Sequence, residues 1–271
     1  MNMHNILTID LEEWFQVFYG VNIIKREQWD LLETEIYPAV DLIRKILNKK
    51  NLKITFFVVA WLAKKHPNII RRLKNDGHEV ASHGFWHEQL FCLPEKELIF
   101  DIRISKKILE DCIGENVYGY RAPGFSLMPE MDWVFDLIKD TGYKYDSSFL
   151  NSQASAIYDL NNGLIEVQPN SVTVLGSKIP VCGGFFFRLC PLSLYSLYVK
   201  HMNSKNTPVV FYTHSWEIKP SKNRLKLPYK KYFIQYFNTH AVEKKFTNLI
   251  NQFQFLSVKT YLEQYKETSF N

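Results

Sequence analysis

The sequence predicts an α/β fold, a single domain over residues 1–271 arranged as an irregular β/α barrel of about seven parallel strands, with a β-rich insertion at about 151–190. Three observations point there. Short β-rich runs alternate with longer stretches of helical periodicity, the pattern of strand–helix units rather than of a sandwich or a bundle. A length of 271 residues is usual for one barrel, and 46% apolar residues are enough for a sizeable core. Polar clusters recur just after the predicted strands, on the face where β/α barrels build their sites.

The elements follow in order. Residues 5–10 read as a buried first strand. Residues 37–48 place Val40, Ile43 and Leu47 on one helical face. Residues 53–59 are β-rich, and 61–75 read as one helix stopped by Gly77. A short strand at 78–82 precedes a helix over 94–113, opened by Pro94 and closed by Gly114. Residues 117–121, 130–141 and 143–146 continue the alternation. Between 151 and 190, β-like runs at 164–168, 172–175 and 178–181 are separated by Asn-Gly, Pro-Asn and Gly-Ser turn signals, which predicts a β-meander inserted over one barrel end. A helix at 191–206, a strand at 208–212, a helix at 239–253, a strand at 253–255 and a helix at 258–265 complete the chain. No repeat or low-complexity linker divides it.

Composition narrows the function. A net charge of +5, from 33 basic and 28 acidic residues, is too mild to imply nucleic acid, though it suits a substrate bearing phosphate or carboxylate. The N-terminus shows no basic region, apolar core or small-residue cleavage site of a signal peptide. The longest apolar run, 54–63, falls short of the ~20 residues of a spanning helix. Cys92, Cys112, Cys182 and Cys190 form no CxxC pair and read as buried small hydrophobes. The expectation is a cytoplasmic protein without a transmembrane segment.

Four clusters could carry chemistry. Asp10, Glu12 and Glu13 follow the first strand. A carboxylate there can simply cap a helix, but several in four residues could both bind a metal and supply a base. His83 and His87 follow the third strand, and histidines four apart meet on one face of a helical turn, within reach of one ion. Two histidines and one carboxylate leave positions open for water and substrate, as in catalytic zinc centres. Arg121, before the Pro123-Gly124 turn, could pair with a carboxylate and orient it; the plain alternative is a structural salt bridge. His214 ends a late strand, where an imidazole can give a proton to a leaving amine, with Asp146 as its charged partner.

Taken together, TID-LEE, SHGFWH, RAPGF, YDSS and FYTHSWE resemble, in order, the motifs of the polysaccharide deacetylase family with the NodB-homology domain, carbohydrate esterase family 4. The resemblance covers most of the chain. The segment from Ile179 to Pro191, with Gly183-Gly184 and Arg188, is similar to a subgroup from exopolysaccharide biosynthesis clusters. The chain departs from the family where Leu11 separates Asp10 from Glu12 and Glu13. Residues two apart on an extended chain point the same way, so Glu12 is taken as the metal carboxylate, with Glu13 the alternative.

The resemblance implies hydrolysis of an acetamido group on an amino sugar, nucleotide-linked or lipid-linked. Glu12, His83 and His87 would hold a divalent ion, zinc being expected. Asp10, held by Arg121, would act as base, and His214, supported by Asp146, as acid. A backbone N–H near Phe125 would face the oxyanion. Phe125, Arg188 and Trp216 would contact substrate, although core packing explains the two rings equally well. A non-catalytic carbohydrate-binding relative and a hydrolase of non-sugar amides are the alternatives. Residues 219–245 hold eight Lys/Arg and one Glu with aromatics interleaved. They read as a solvated face with rings turned inward, or as a surface for a phosphate-bearing carrier or a peripheral membrane contact.

Overall fold

The computed structural model describes residues 3–20, 23–149, 156–160, 162–174 and 177–265. Strand β1 (His4–Leu11) lies near the centre of a curled sheet and is buried from Asn5 onward. It is flanked on one side by β2 (Thr55–Val58) and on the other by β10 (Val210–His214). Strands β3 (Glu79–Ser82), β4 (Gly119–Tyr120), β5 (Tyr145–Asp146), β6 (Ile157–Asp159) and β7 (Ile165–Val167) extend it in the order β10-β1-β2-β3-β4-β5-β7-β6. All neighbours are parallel except β6 with β7, and β11 (Gln254–Leu256) pairs parallel with the start of β1. Seven parallel strands in one path match the expected barrel.

The segment expected as an insertion is divided. β7 is a strand of the main sheet beside β5, whereas β8 (Ser171–Val174) and β9 (Ser177–Pro180) form a separate hairpin. Of that expected segment, residues 151–155, 161 and 175–176 lie outside the described residues.

Helices cover the sheet. α1 (Ile36–Asn48) buries Ile36, Val40, Ile43 and Leu47 at helical spacing. The single helix expected at 61–75 is two, α2 (Ala60–Lys65) and α3 (Pro67–Asn75). The proline lacks an N–H and pushes His66 out of helical geometry, to φ −129° and ψ 55°. α4 (Glu95–Ile113) ends at Gly114 as expected, and α5 (Asp132–Asp140) follows. α6 (Gly184–Leu189), α7 (Leu192–Ser204), α8 (Ser215–Ile218), α9 (Tyr229–Tyr236), α10 (Val242–Gln252) and α11 (Val258–Tyr265) complete the set. Fully buried Phe56, Phe211, Phe246 and Ile43 sit between sheet and helices, each burial contributing about 1.5–3 kcal/mol. No helix among the described residues is long and apolar enough to cross a membrane.

Candidate functional site

Strand register assembles the site. Parallel pairing aligns Leu11 with Val58, Val58 with Ser82, and Ser82 with Tyr120. The residues one step beyond that row, Glu12, His83 and Arg121, leave the sheet at a common edge. On the other flank of β1, Asp10 pairs with His214.

Glu12, His83 and His87 offer donor atoms that all lie within 4.8 Å of one another. Glu12 Oε2 is 2.6 Å from His87 Nε2, and the two Nε2 atoms are 3.3 Å apart. His83 Nδ1 faces the Arg121 carbonyl at 2.7 Å. A carbonyl only accepts, so Nδ1 carries the proton and the Nε2 lone pair faces the cluster. Ligands about 2.0–2.1 Å from a tetrahedral zinc stand roughly 3.4 Å apart, so this donor set fits a divalent ion. Burial works to raise the Glu12 carboxyl, but the imidazoles of His87, His214 and His83 outweigh it and hold it at about 2. Burial drives the His83 imidazole down to about 4, toward the neutral form a ligand needs.

The two histidines do not converge on a helical turn. They meet across a loop in which Gly84 (φ +70°) and His87 (φ +56°) adopt left-handed geometry. A Cβ at position 84 would lie 2.9 Å from Asp101 Oδ1, which is why glycine stands there. Asp101, buried on α4, accepts the Phe85 N–H at 3.0 and 3.1 Å and the Trp86 N–H at 3.2 Å, and burial pushes its carboxyl up to about 6.

Asp10 and Glu12 face the same side of the extended chain. Glu13 faces the other, where it accepts the Thr34 hydroxyl and, at 3.2 Å, the N–H groups of Glu35 and Ile36 at the start of α1. Glu13 is therefore the helix-capping carboxylate and Glu12 the one in the cluster. Arg121, fully buried, donates from Nη1 to Asp10 Oδ1 at 2.7 Å and to Thr8 Oγ1 at 3.0 Å. Its Nη2 and Nε reach Ser147 Oγ at 2.9 and 3.3 Å. Asp10 Oδ2 is left 3.7 Å from His83 Nε2 and 3.9 Å from His214 Nε2.

The partner of His214 differs from expectation. Its Nδ1 is 2.8 Å from Glu217 Oε2, and Arg188 Nε lies 2.6 Å from Glu217 Oε1. Burial works to lower the imidazole, but Glu217, with Glu12 and Asp10, overcomes it and raises His214 to about 9. Burial would raise Glu217 as well, yet Arg188 and His214 hold it at about 2. Asp146 stands five strands from β10 in the sheet order, beside Glu166 across the β5–β7 pairing. Its carboxylate accepts the Ser148 N–H at 3.0 Å and hydroxyl at 2.5 Å. Ser148 Oγ also accepts the Ala122 N–H at 2.7 Å, so Asp146 braces the turn after Arg121 instead of His214. Burial, then Asp146, push the Glu166 carboxyl well up.

Arg188, expected at the substrate, lines the cavity over the site with Trp216, yet is buried and spends its donors on protein: Glu217, and the carbonyls of Ile234 (2.8 Å), Gln235 (3.1 Å) and Phe237 (2.8 Å). Gly183 lets this segment press on β10, since a Cβ there would come 1.9 Å from the Tyr212 carbonyl oxygen. Trp216 is likewise engaged. Its Nε1 donates to Glu12 Oε1 at 2.6 Å and its ring stacks on His214 at 5.2 Å. The Phe125 N–H bonds the Ala122 carbonyl at 3.1 Å and is not free for an oxyanion. The Phe125 ring does line the cavity over the site, about 190 Å³, with Phe18, Tyr19, Phe185 and Tyr212. A larger cavity, about 670 Å³, opens near His78 and Glu79 at the opposite end of β3, away from the cluster.

Sequence reasoning missed Glu217 and Asp101. Glu217 stands in the FYTHSWE cluster itself, three residues past His214. Asp101 lies on the same helical stripe as Leu98, Ile102 and Ser105, all buried.

Two families match in tandem: Polysaccharide deacetylase over residues 34–145 and a domain of unknown function (DUF3473) over 144–263. The chain is 33% identical over 101 residues to a Bacillus cereus peptidoglycan-N-acetylglucosamine deacetylase, covering 36% of this chain and 37% of that one. It is 27% identical over 147 residues to an Azorhizobium caulinodans chitooligosaccharide deacetylase, covering 54% and 69%. Thus the match spans little more than a third of the first relative's length. Among solved structures, one from Mycobacterium smegmatis, named for polysaccharide deacetylase, superposes with a TM-score of 0.67 at 18% identity, covering 97% of this chain and 89% of that one. Residues 34–145 match the polysaccharide deacetylase family, and the fold is shared with solved structures of carbohydrate esterase family 4, which together support a NodB-homology deacetylase. The chain's DUF3473 segment carries Arg188, His214, Trp216 and Glu217.

Proposed function

We propose that this protein is a metal-dependent hydrolase that removes the N-acetyl group from an amino sugar. The observation that carries the reading is the Glu12–His83–His87 donor triangle with Asp10 and the Glu217-backed His214 both standing beside it. Such two-imidazole, one-carboxylate donors suit zinc. When bound, the ion polarises the acetyl carbonyl and makes water acidic enough to attack near neutral pH.

The chain's own residues do the rest. Arg121 fixes Asp10 through Oδ1, so that Oδ2 points into the site and accepts the proton of the attacking water. His214 enters as imidazolium, because Glu217 sits beneath its Nδ1. It gives its Nε2 proton to the sugar nitrogen as the carbon–nitrogen bond breaks, releasing acetate and the free amine. Trp216 and the Arg121 carbonyl orient the ligands Glu12 and His83.

The cavity is smaller than the 300–1,000 Å³ usual for drug-sized ligands. One ring and its acetamido group enter, with Phe125 against the sugar, while the carrier stays outside. A nucleotide- or lipid-linked precursor of an exopolysaccharide fits that shape. We further propose that both matched segments act as one domain, since each supplies part of the site. The four cysteines are unpaired, which suits a reducing, cytoplasmic setting. Mass spectrometry of acetylated amino-sugar oligomers and carrier-linked sugars incubated with zinc-loaded protein should show loss of acetyl. Turnover that persists after a chelator has removed all divalent metal would defeat the reading.

A further inference from the structure

Helix α9 (Tyr229–Tyr236) is oriented against expectation. Its rings do not turn to the core: Tyr229 is 84% exposed, Tyr232 43%, Phe233 40% and Ile234 40%. At about 100° per residue, Tyr229, Phe233, Lys230 and Ile234 occupy one continuous arc. The opposite side holds the buried Gln235; Tyr236, about two turns on from Tyr229, is half-buried at the helix end, where its hydroxyl accepts the Leu225 N–H at 2.8 Å. Lys230 and Lys231 are exposed on this helix, Lys222, Arg224 and Lys226 are exposed in the loop leading to it, Arg224 lies over the Tyr236 ring at 4.3 Å, and Glu243 is the one acid among residues 219–245. The face continues into the cavity mouth. Ile234 and Gln235 line the cavity, as do Phe18, 41% exposed, and Tyr19, over whose ring Lys231 Nζ lies at 5.4 Å.

We propose that the α9 face docks the protein on an anionic lipid bilayer, with the active-site mouth turned to the headgroups. Lysines attract the negative surface, while Tyr, Phe and Ile enter the headgroup–acyl boundary. An exposed Ile beside the rings favours lipid over a soluble saccharide, because it offers no ring face for a sugar to stack on. The geometry would let a lipid-linked sugar reach the cavity without leaving the membrane plane. Binding needs no turnover, so the proposal stands apart from the hydrolytic reading.

The test is vesicle co-sedimentation of the full chain with phosphatidylglycerol-containing and pure phosphatidylcholine vesicles at two salt concentrations. The protein should bind the anionic vesicles, less at high salt, and leave the neutral ones unbound. Joint Lys226→Gln, Lys230→Gln and Lys231→Gln should weaken binding roughly 100-fold, at a factor of about five per charge. Tyr229→Ser alone should weaken it about five-fold. Thermal melts of these variants should match the parent, since all four side chains are exposed. Equal binding to both vesicle types, binding untouched by the substitutions, or no binding at low salt would overturn the proposal. So would a dimer that the same substitutions dissociate, which would hand the face to a second copy of the chain.

Discussion

Replacing Glu217 by glutamine removes a negative charge from beneath His214 while keeping nearly the same shape. The His214 imidazole stands at about 9 rather than its ordinary 6.5, against the effect of burial, and Glu217 at 2.8 Å is the leading cause that lifts it. A tenfold change in proton affinity corresponds to about 1.4 kcal/mol. If Glu217 tightens the hold of His214 on its proton roughly a hundredfold, the variant's imidazole titrates at about 7. In the proposed mechanism the acting form is the imidazolium, so activity should be lost as pH rises through that value, and Glu217→Gln should move the alkaline limb of the rate profile down. At pH 8 the protonated fraction falls from about nine-tenths to about one-tenth, a roughly ten-fold drop in kcat, whereas at pH 6 the change stays within about two-fold. Glu217→Asp retains the charge and should keep the limb near its original place. The substitution to glutamine also strips Arg188 of its carboxylate, a buried-pair loss that can cost about 3–5 kcal/mol of stability. Rates are therefore measured well below the melt, with metal content checked. An alkaline limb that stays in place in a folded, metal-replete Glu217→Gln protein would refute both the role of His214 as acid and its support by Glu217.

Other substitutions separate ligand from catalyst. His83→Ala or His87→Ala should lose the ion by elemental analysis and abolish turnover, whereas His214→Ala should keep the ion and lose about 10²–10⁴ in kcat. Asp10→Asn should retain metal without activity, because an amide cannot take the water's proton. Glu12→Ala should lose metal. Glu13→Ala should keep metal and activity but unfold a few degrees lower, since removing the acceptor for two N–H groups at the start of α1 costs about 1–2 kcal/mol. Metal lost from Glu13→Ala but not from Glu12→Ala would reverse the two carboxylates.

Much of this site was legible because it hangs on strand ends. The buried run at 5–10, the β-rich run at 53–59 and the strand before Ser82 each announce a strand, and the polar residues after them fall on one edge by register alone. Alternation also separates Glu12 from Glu13. Three things were hidden. Asp146 and Glu217 are both acids near plausible strand ends, and only the sheet order shows that Asp146 stands beside Glu166 instead of His214. The loop from Ser82 to His87 mimics helical spacing, yet Gly84 and His87 turn left-handed, a conformation set by Asp101 from a distant helix. Arg188 and Trp216 both line the cavity over the site, but the letters alone do not show that their polar atoms are already taken by protein. Their partners come from residues 29 or more positions away in the chain, at Glu217 and Glu12.

Trp216 ties the DUF3473 segment to the proposed metal site. Its indole N–H donates to Glu12 Oε1 at 2.6 Å, while Glu12 Oε2 faces His87 at 2.6 Å. One carboxylate oxygen is thereby held by the second segment, and the other faces the donor triangle that would hold an ion. Partners of this kind, once removed from a metal ligand, typically cost 10–100-fold in metal affinity. Trp216→Phe deletes the donor but keeps an aromatic ring against His214, at present stacked at 5.2 Å. Zinc affinity, read by competition with a chromophoric chelator, should fall about 10–100-fold, and the pH profile set by His214 should keep its alkaline limb. Trp216→Ala should lower zinc affinity at least as far, because the stacking surface goes with the donor. A Trp216→Phe protein that binds zinc as tightly as the parent would mean that Glu12 needs no help from the second segment, and that the segment's contribution to the site ends at His214, Glu217 and Arg188.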